Sequence, residues 1–591
     1  MPRFVLLAIL LAAGCTSAVT PSASSDAEGV AGGTLRAGIW VQDAEEEWRQ
    51  FLLDPQRFWW HPLFRCCVLR TLLSYPGRAI VDGGAELQPD LAAAMPDVSA
   101  DGLTWTFRLR EGLTYAPPFD QRAIVAQDFI TALERTVRIG EAPYYEDIEG
   151  VQAFRDGQAG TISGVEAPDD STLVVRLTGP AGDFGHRVAM TYLAPIPAEA
   201  LEVHDDDYAG YVVASGPYMF EGSEDIDHSD PGAPPSWQGR PIGEFTLVRN
   251  PSWSREMDPL RPAYVDRIEI VPIGDRTDGT DAVRTGEIDV MLDLLWGDER
   301  SEVVEDAALR SRMREAPLPS LFFIPLNIAQ PPFDDVAVRR AVNLVLDRRA
   351  LASTFAPERG SAILPVTHAF PEVAVAGLLR EYAPFSTPDE AGDVRRAREQ
   401  MAMSAYDTDG DGLCDGDACA VIANRFGTTT DSAIGIIERD LAELGIQVSW
   451  VDEPYIDDPT AHVGLTAIMG WIADYPSAKD FVGLISDPAG GLDWSLVGAT
   501  PDQLSEWGYA VDEVPSLDDK IAACQSRRGS AAFGCWAELD QLLTEQVVAW
   551  APVARSVGAW LISDRIDRFE IAGAQADPAL DRISLRPETS P

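Results

Sequence analysis

The chain has 591 residues, 46% hydrophobic and 24% charged, which is ordinary for a folded soluble protein and too long for one simple core. It carries 94 Asp and Glu against 46 Lys and Arg, a net charge of −48. That balance argues against a nucleic-acid partner and against resting on anionic lipid by charge, and it favours cationic ligands at long range.

The basic residues are almost all Arg. Only Lys479 and Lys520 are lysine, and neither precedes Ser or Thr, so no phosphate-binding P-loop exists. If the chain serves an ATP-driven process, another subunit hydrolyses the ATP.

The N-terminus reads as an address. Arg3 is followed by an apolar run from Phe4 to Ala13 and then Gly14-Cys15. The run is too short to span a bilayer and fits a signal-peptide core over residues 1–14. Small residues before a Cys resemble the lipobox of bacterial lipoproteins, which implies cleavage before Cys15 and lipid on Cys15. Ala12 departs from that pattern where Leu is commonest. Residues 15–32 are rich in Ser, Ala and Gly and read as a lipid-anchored flexible tether. No later segment is apolar enough to cross a membrane, so the body is expected outside the cytoplasmic membrane. That compartment permits disulfides. Cys414 with Cys419 and Cys524 with Cys535 are spaced to close small loops, and both bridges are expected. Of adjacent Cys66 and Cys67, one or both are expected as buried thiols, because a bridge between neighbours strains the peptide. The six His are scattered and no C-x-x-C pair exists, so zinc is not expected.

In chain order, Gly33–Ile39 predicts a short strand and Phe58–Tyr75, aromatic and apolar, a buried helix. Trp105, Phe107 and Leu109 alternate with Thr104, Thr106, Arg108 and Arg110, the period of a half-buried strand. After the turn at Pro117-Pro118 a helix starts near Asp128, with Phe129, Ile130, Leu133 and Val137 on its core face and Glu134, Arg135 and Arg138 opposite. Ser171–Leu177 and Tyr264–Ile273 predict further strands. Phe322–Arg349 predicts a strand ending at Asn327, a Pro-rich turn and a helix. Asp334 and Asp335 sit at its start, and Val338, Ala341, Val342 and Val345 form its core face. Asp389–Ala405 predicts a helix, Ala420–Asn424 a strand, Val463–Met469 a strand running to a loop, and Trp536–Pro552 a helix. No internal repeat is present.

The order of "DGLTWTFRLREG" and "AQDFITALER" resembles the signature of the bacterial extracellular solute-binding proteins, family 5. "QPDLAA", "SGPYMF", "GEIDV", Phe322–Arg349 and Trp536–Pro552 add matching elements in family order from about residue 33 to about 560. The resemblance implies an α/β, two-lobed periplasmic-binding-protein-like fold of the cluster C type, with a hinge, a central cleft and an extra inserted domain. Lobe I is then 33–70, 192–325 and 550–591, the inserted domain 71–191, and lobe II 326–549. It further implies a monomeric receptor, without catalytic residues, that captures oligopeptides or similar small solutes for an ABC permease and its ATPase subunits. Nickel or another metal chelate, an oligosaccharide or a signalling peptide are alternative ligands. A secreted hydrolase is the more remote reading, since neither G-x-S-x-G nor H-E-x-x-H occurs.

Gly470–Phe481, GWIADYPSAKDF, resembles the family's "G-W-x-x-D-Y" motif. In peptide-binding members its Asp pairs with the ligand's α-ammonium, and that role carries to Asp474. Gly470 and Ile472 would offer main-chain hydrogen bonds, and Trp471 and Tyr475 would line side-chain pockets. Tyr144 of the inserted domain would face the same cleft. Ile468 is apolar and supplies no charge for a short peptide's carboxylate.

One segment lies outside this scheme. Asp407–Cys419, DTDGDGLCDGDAC, places Asp407, Asp409, Asp411 and Asp415 at positions 1, 3, 5 and 9 of an EF-hand-like loop, with Gly412 at the sharp turn and the Leu413 carbonyl at position 7. Ala418 replaces the bidentate Glu at position 12. No cofactor is required by any other motif, and a structural Ca2+ is expected here, within a loop closed by Cys414–Cys419.

Overall fold

The computed structural model describes residues 29–41, 53–57, 61–140, 143–241, 243–295, 297–359, 362–425, 429–452, 458–485 and 494–587. The signal peptide, Cys15 and most of the tether, like Phe58–Trp60, lie outside them. Among the described residues no helix is long and apolar enough to cross a membrane.

The first sheet has the order Val290–Met291, Thr34–Trp40, Arg267–Ile273, Phe245–Arg249 and Tyr218–Phe220. Thr34–Trp40 runs parallel to both its neighbours. Leu35, Ala37 and Ile268 are buried on it. A second, antiparallel sheet holds Asp97–Val98, Thr104–Arg108, Thr172–Arg176 and Val165–Asp169. Its strand Thr104–Arg108 has the alternation expected: Trp105 and Phe107 are buried and Arg108 is exposed. The helix Ala126–Arg138 packs beside it through Phe129, Ile130, Leu133 and Val137. Both sheets share one continuous apolar core.

The helix departs from expectation at Arg135, which is fully buried. Its guanidinium donates to Asp54 at 3.1 and 2.8 Å and to Asp205 at 2.9 Å, so the charge enters the core with its partners. Periodicity had placed it on the polar face, because its partners lie 81 and 70 residues away in sequence.

The third sheet joins Met313–Pro317, Trp550–Leu561, Ser320–Pro325 and Met469–Ile472, all antiparallel, with Ala362–Pro365 also pairing to Trp550–Leu561. All twelve residues of Trp550–Leu561 are buried. Its start packs with the cores around Phe323 and Val338, and Trp560 and Ile562 pack in the core of the first two sheets. One strand therefore carries the chain from one lobe to the other. A small parallel sheet of Gln447–Val451, Ala420–Asn424 and Leu465–Thr466 completes the second lobe. The helix Val336–Val345 begins as the acidic pair implies: the Asp335 carboxylate accepts the Ala337 N–H at 2.8 Å.

Four local expectations are corrected. The helix expected over Trp536–Pro552 closes in a π turn that ends at Val547, and Trp550–Pro552 already belongs to the strand Trp550–Leu561. Within Phe58–Tyr75 the described backbone forms a wide π turn, Phe64–Val68, then a strand at Leu73–Ser74, not one long helix. In that turn Cys66 and Cys67 lie at disulfide distance from each other, where one or both were expected as buried thiols. The helix expected over Asp389–Ala405 is confined to Val394–Met401. The two expected pairs, Cys414 with Cys419 and Cys524 with Cys535, also lie at disulfide distance.

Candidate ligand-binding site

The GWIADYPSAKDF segment does not leave its strand before the motif begins, as the sequence pattern had suggested. Met469–Ile472 is itself a strand at the edge of the third sheet, in register with Phe323–Ser320. Ala473 donates its N–H to Pro319 C=O at 2.7 Å, which sets the alternation of the ladder. In that alternation Met469 and Trp471 bond to the neighbouring strand, while the N–H and C=O of Gly470 and Ile472 point to the open edge. An extended ligand could add there as a further strand. Gly470 is required by packing: a Cβ would lie 2.6 Å from the ring of Phe322. Ile472 is 54% exposed.

Beyond the strand the chain turns back over Asp480. This carboxylate accepts the indole N–H of Trp471 at 2.9 Å and the N–H of Asp474 at 3.0 Å. It shapes the turn that presents Asp474. Burial, and then the neighbouring Asp474 charge, push the Asp480 carboxyl up to about 8. Burial also raises Asp474, and the hydrogen bond it receives lowers it in part.

That hydrogen bond comes from the other side of the cleft. Tyr144 donates its hydroxyl to Asp474 Oδ2 at 2.6 Å across 330 residues of sequence. Tyr144 rests on Tyr192 and meets Tyr475 edge-on, with ring centroids 5.9 and 6.1 Å apart. The structure thus brings together Tyr144, Asp474 and Tyr475, with Trp471 held through Asp480. Tyr475 is buried, however. Its hydroxyl donates to Asp183 at 2.9 Å, and its ring stacks on His186 at 6.5 Å. It joins the lobes more than it walls an open pocket. Sequence reading did not single out Asp480, Asp183, His186 or Arg187. Arg187 binds Asp147 at 2.7 and 2.9 Å and approaches Asp183 at 3.3 Å, fixing the acceptor for Tyr475. A third contact between the lobes is the N–H of Gly182 on Gln525 C=O, at 2.6 Å.

In the acidic loop, carboxylate oxygens of Asp407, Asp409 and Asp415 lie within 4.8 Å of one another. Asp411 is not in that group; its carboxylate accepts the Leu413 N–H at 2.9 Å. Gly412 has φ +84°, and a Cβ there would sit 2.7 Å from Arg398 Cβ, so the sharp turn needs glycine.

With this geometry in place, residues 86–493 match the family model described as bacterial extracellular solute-binding proteins, family 5 Middle. The chain belongs to this family. The "Probable deoxycholate-binding periplasmic protein YgiS" of Escherichia coli is 24% identical over 423 residues, 69% of this chain and 71% of that protein. The periplasmic oligopeptide-binding protein OppA of Salmonella typhimurium is 23% identical over 495 residues, 81% and 83% of the two chains. Among solved structures, clavulanic acid biosynthesis oligopeptide binding protein 2 superposes with a TM-score of 0.72 at 24% identity, covering 94% of this chain and 96% of that one. The unliganded open form of the murein tripeptide binding protein MppA gives 0.70 at 18% identity, covering 94% and 98%. The family-5 member is therefore a two-lobed solute-binding protein.

Proposed function

We propose that this family-5 protein is the extracytoplasmic, lipid-anchored receptor of an ABC importer, and that it captures oligopeptides or similar amine-bearing solutes between its lobes. The observation that carries the reading is the pairing of an open strand edge at Gly470 and Ile472 with a half-buried carboxylate, Asp474, two residues further on. The edge suits an extended main chain, and the carboxylate suits its terminal ammonium. Peptide-binding relatives such as OppA support the same ligand class. The lobes hinge shut on the ligand, and the closed form is what the permease meets. Lipid on Cys15 anchors the receptor.

Calorimetric titration with a set of short peptides and their N-acetylated counterparts tests this. Free-amine peptides should bind and acetylated ones should lose most of that affinity. Asp474→Asn should abolish the difference. Equal binding of both forms would sink the assignment of Asp474. Mass spectrometry of membrane-extracted protein checks the diacylated Cys15.

The acidic loop is proposed, separately, as a structural calcium site built on Asp407, Asp409 and Asp415. Three carboxylates this close repel one another unless a cation or solvent stands between them.

A further inference from the structure

Six cysteines of the described chain stand in three close pairs, and one of the six differs from the rest. Cys67, Cys414, Cys419, Cys524 and Cys535 are all buried, between 0 and 8% exposed. Cys66 is half-buried and lines a cavity of about 50 Å3 where residues 62–77, 260–261 and 572–581 meet. A water needs roughly 10–15 Å3 of such space, so the cavity admits several waters or the end of one small organic molecule. Its lining residue Asp577 is 33% exposed, which places the mouth on the solvent side.

The backbone explains why the two neighbours differ. The turn Phe64–Val68 is pinned from one side by Ser215 and Gly216, which both donate their N–H to Val68 C=O, at 3.0 and 2.8 Å. Gly216 lies so close that a Cβ there would sit 2.4 Å from the Cys67 carbonyl oxygen. Cys67 thus packs into the core, while Cys66 stands on the cavity wall. Adjacency also sets the strain. The Cα atoms of Cys66 and Cys67 are 3.7 Å apart, against roughly 4.4–6.8 Å in ordinary bridges. Those of Cys414 with Cys419 and Cys524 with Cys535 are 5.8 and 5.3 Å apart, inside that range. A strained bridge with an accessible sulfur is the kind that exchanges, and an unstrained buried one persists.

We propose that Cys66 and Cys67 are bridged and that this bridge is a thiol–disulfide exchange site for small thiols entering the cavity, with Cys66 the sulfur that is attacked. The thiol loses its proton to water, and its thiolate bonds to Cys66 Sγ. The bond between the two cysteines breaks, its electron pair stays on Cys67, and Cys67 Sγ takes up a proton. The products are a mixed disulfide on Cys66 and a free thiol on Cys67. A second molecule of the same thiol then frees Cys66 and leaves as the disulfide of the small thiol, so no other oxidant or reductant enters. The net charge of −48 favours cationic thiols at long range.

The test uses the full mature chain, purified without reductant, and cysteamine as the thiol. Peptide mapping by mass spectrometry under non-reducing conditions should find Cys66 linked to Cys67 before treatment; free thiols at both would overturn the proposal. Under rising cysteamine that link should open at a concentration about tenfold or more below that needed for Cys414–Cys419 or Cys524–Cys535. The adduct should form on Cys66. Opening of all three pairs together, or an adduct on Cys67 alone, would overturn it. Two variants separate the sulfurs. Cys67→Ala should take one cysteamine from cystamine, its disulfide, at Cys66. Cys66→Ala, whose remaining thiol is buried, should take none there while folded. Equal labelling of the two would refute the asymmetry, and if neither variant folds the wild-type map still decides. Glutathione, too large for the cavity, should react more slowly per thiolate than cysteamine; equal rates would overturn the role of the cavity.

Discussion

Asp480 offers a direct test of how the cleft handles charge. Replacing it with Asn keeps the shape, and the amide oxygen can still accept from the Trp471 indole and the Asp474 N–H, which both bond to one oxygen, Oδ2. What changes is titration. In the unfolded chain Asp480 titrates near about 3.9; in the folded chain it titrates at about 8. Between those values the folded state holds the extra proton, so stability falls as pH rises through that window and the penalty vanishes below the unfolded value. One proton is worth about 1.4 kcal/mol per pH unit, so the limit between pH 5 and pH 7 is roughly 2.7 kcal/mol. Coupling to Asp474 and partial solvent access reduce this to about 1–2 kcal/mol. Asp480→Asn should remove that slope and be the more stable protein at pH 8. Urea unfolding of both proteins at several pH values measures it. Parallel stability–pH curves would refute the reasoning.

The same proton bears on binding. A ligand ammonium beside Asp474 stabilises nearby carboxylates and lowers the Asp480 pKa. Wild type should then release a proton on binding at pH 7, and Asp480→Asn should release much less. Calorimetry in buffers of different ionisation enthalpy reads the difference.

Tyr144→Phe deletes the hydroxyl on Asp474 and should weaken peptide binding by about tenfold, since a hydrogen bond to a charged group is worth roughly 1.5–3 kcal/mol; an unchanged titration would remove Tyr144 from the site. Gly182→Ala puts a Cβ 1.8 Å from Arg527 C=O, so the lobes should part there, seen as a larger radius of gyration by solution scattering. Calcium at hundredfold excess over its dissociation constant should stabilise the protein by about 2.7 kcal/mol; Asp407→Asn should abolish that gain, and an unfolding midpoint insensitive to calcium and chelator would count against the loop as a metal site.

Local pattern made some of this legible and tertiary partnership hid the rest. The strand Thr104–Arg108 and the helix Ala126–Arg138 follow from periods of 2 and 3.6 in side chains that share one core. The Asp335 cap was legible because its partner is two residues away. Arg135 was not, since a buried cation is recognised only by its distant carboxylates. Asp480 stood inside the motif but looked like any acidic helix start until the turn wrapped Trp471 and Asp474 onto it. Asp183 and Arg187 carry no local signal, because Tyr475, which gives them their purpose, lies 292 residues beyond Asp183.

The contact between Tyr144 and Asp474 bears on how such a receptor closes. A carboxylate has two oxygens, and Tyr144 occupies one, Oδ2. On the proposed reading an ammonium meets the other oxygen, so the phenol need not leave when it arrives. Instead the ammonium fixes the charge on Asp474, and a charged acceptor strengthens the bond from Tyr144. Because Tyr144 belongs to one side of the cleft and Asp474 to the other, that strengthening acts directly on closure. On the proposed reading, the ligand favours the closed form by what it does to this one bond, in addition to its own contacts, and a solute without a cation at that position obtains only the latter.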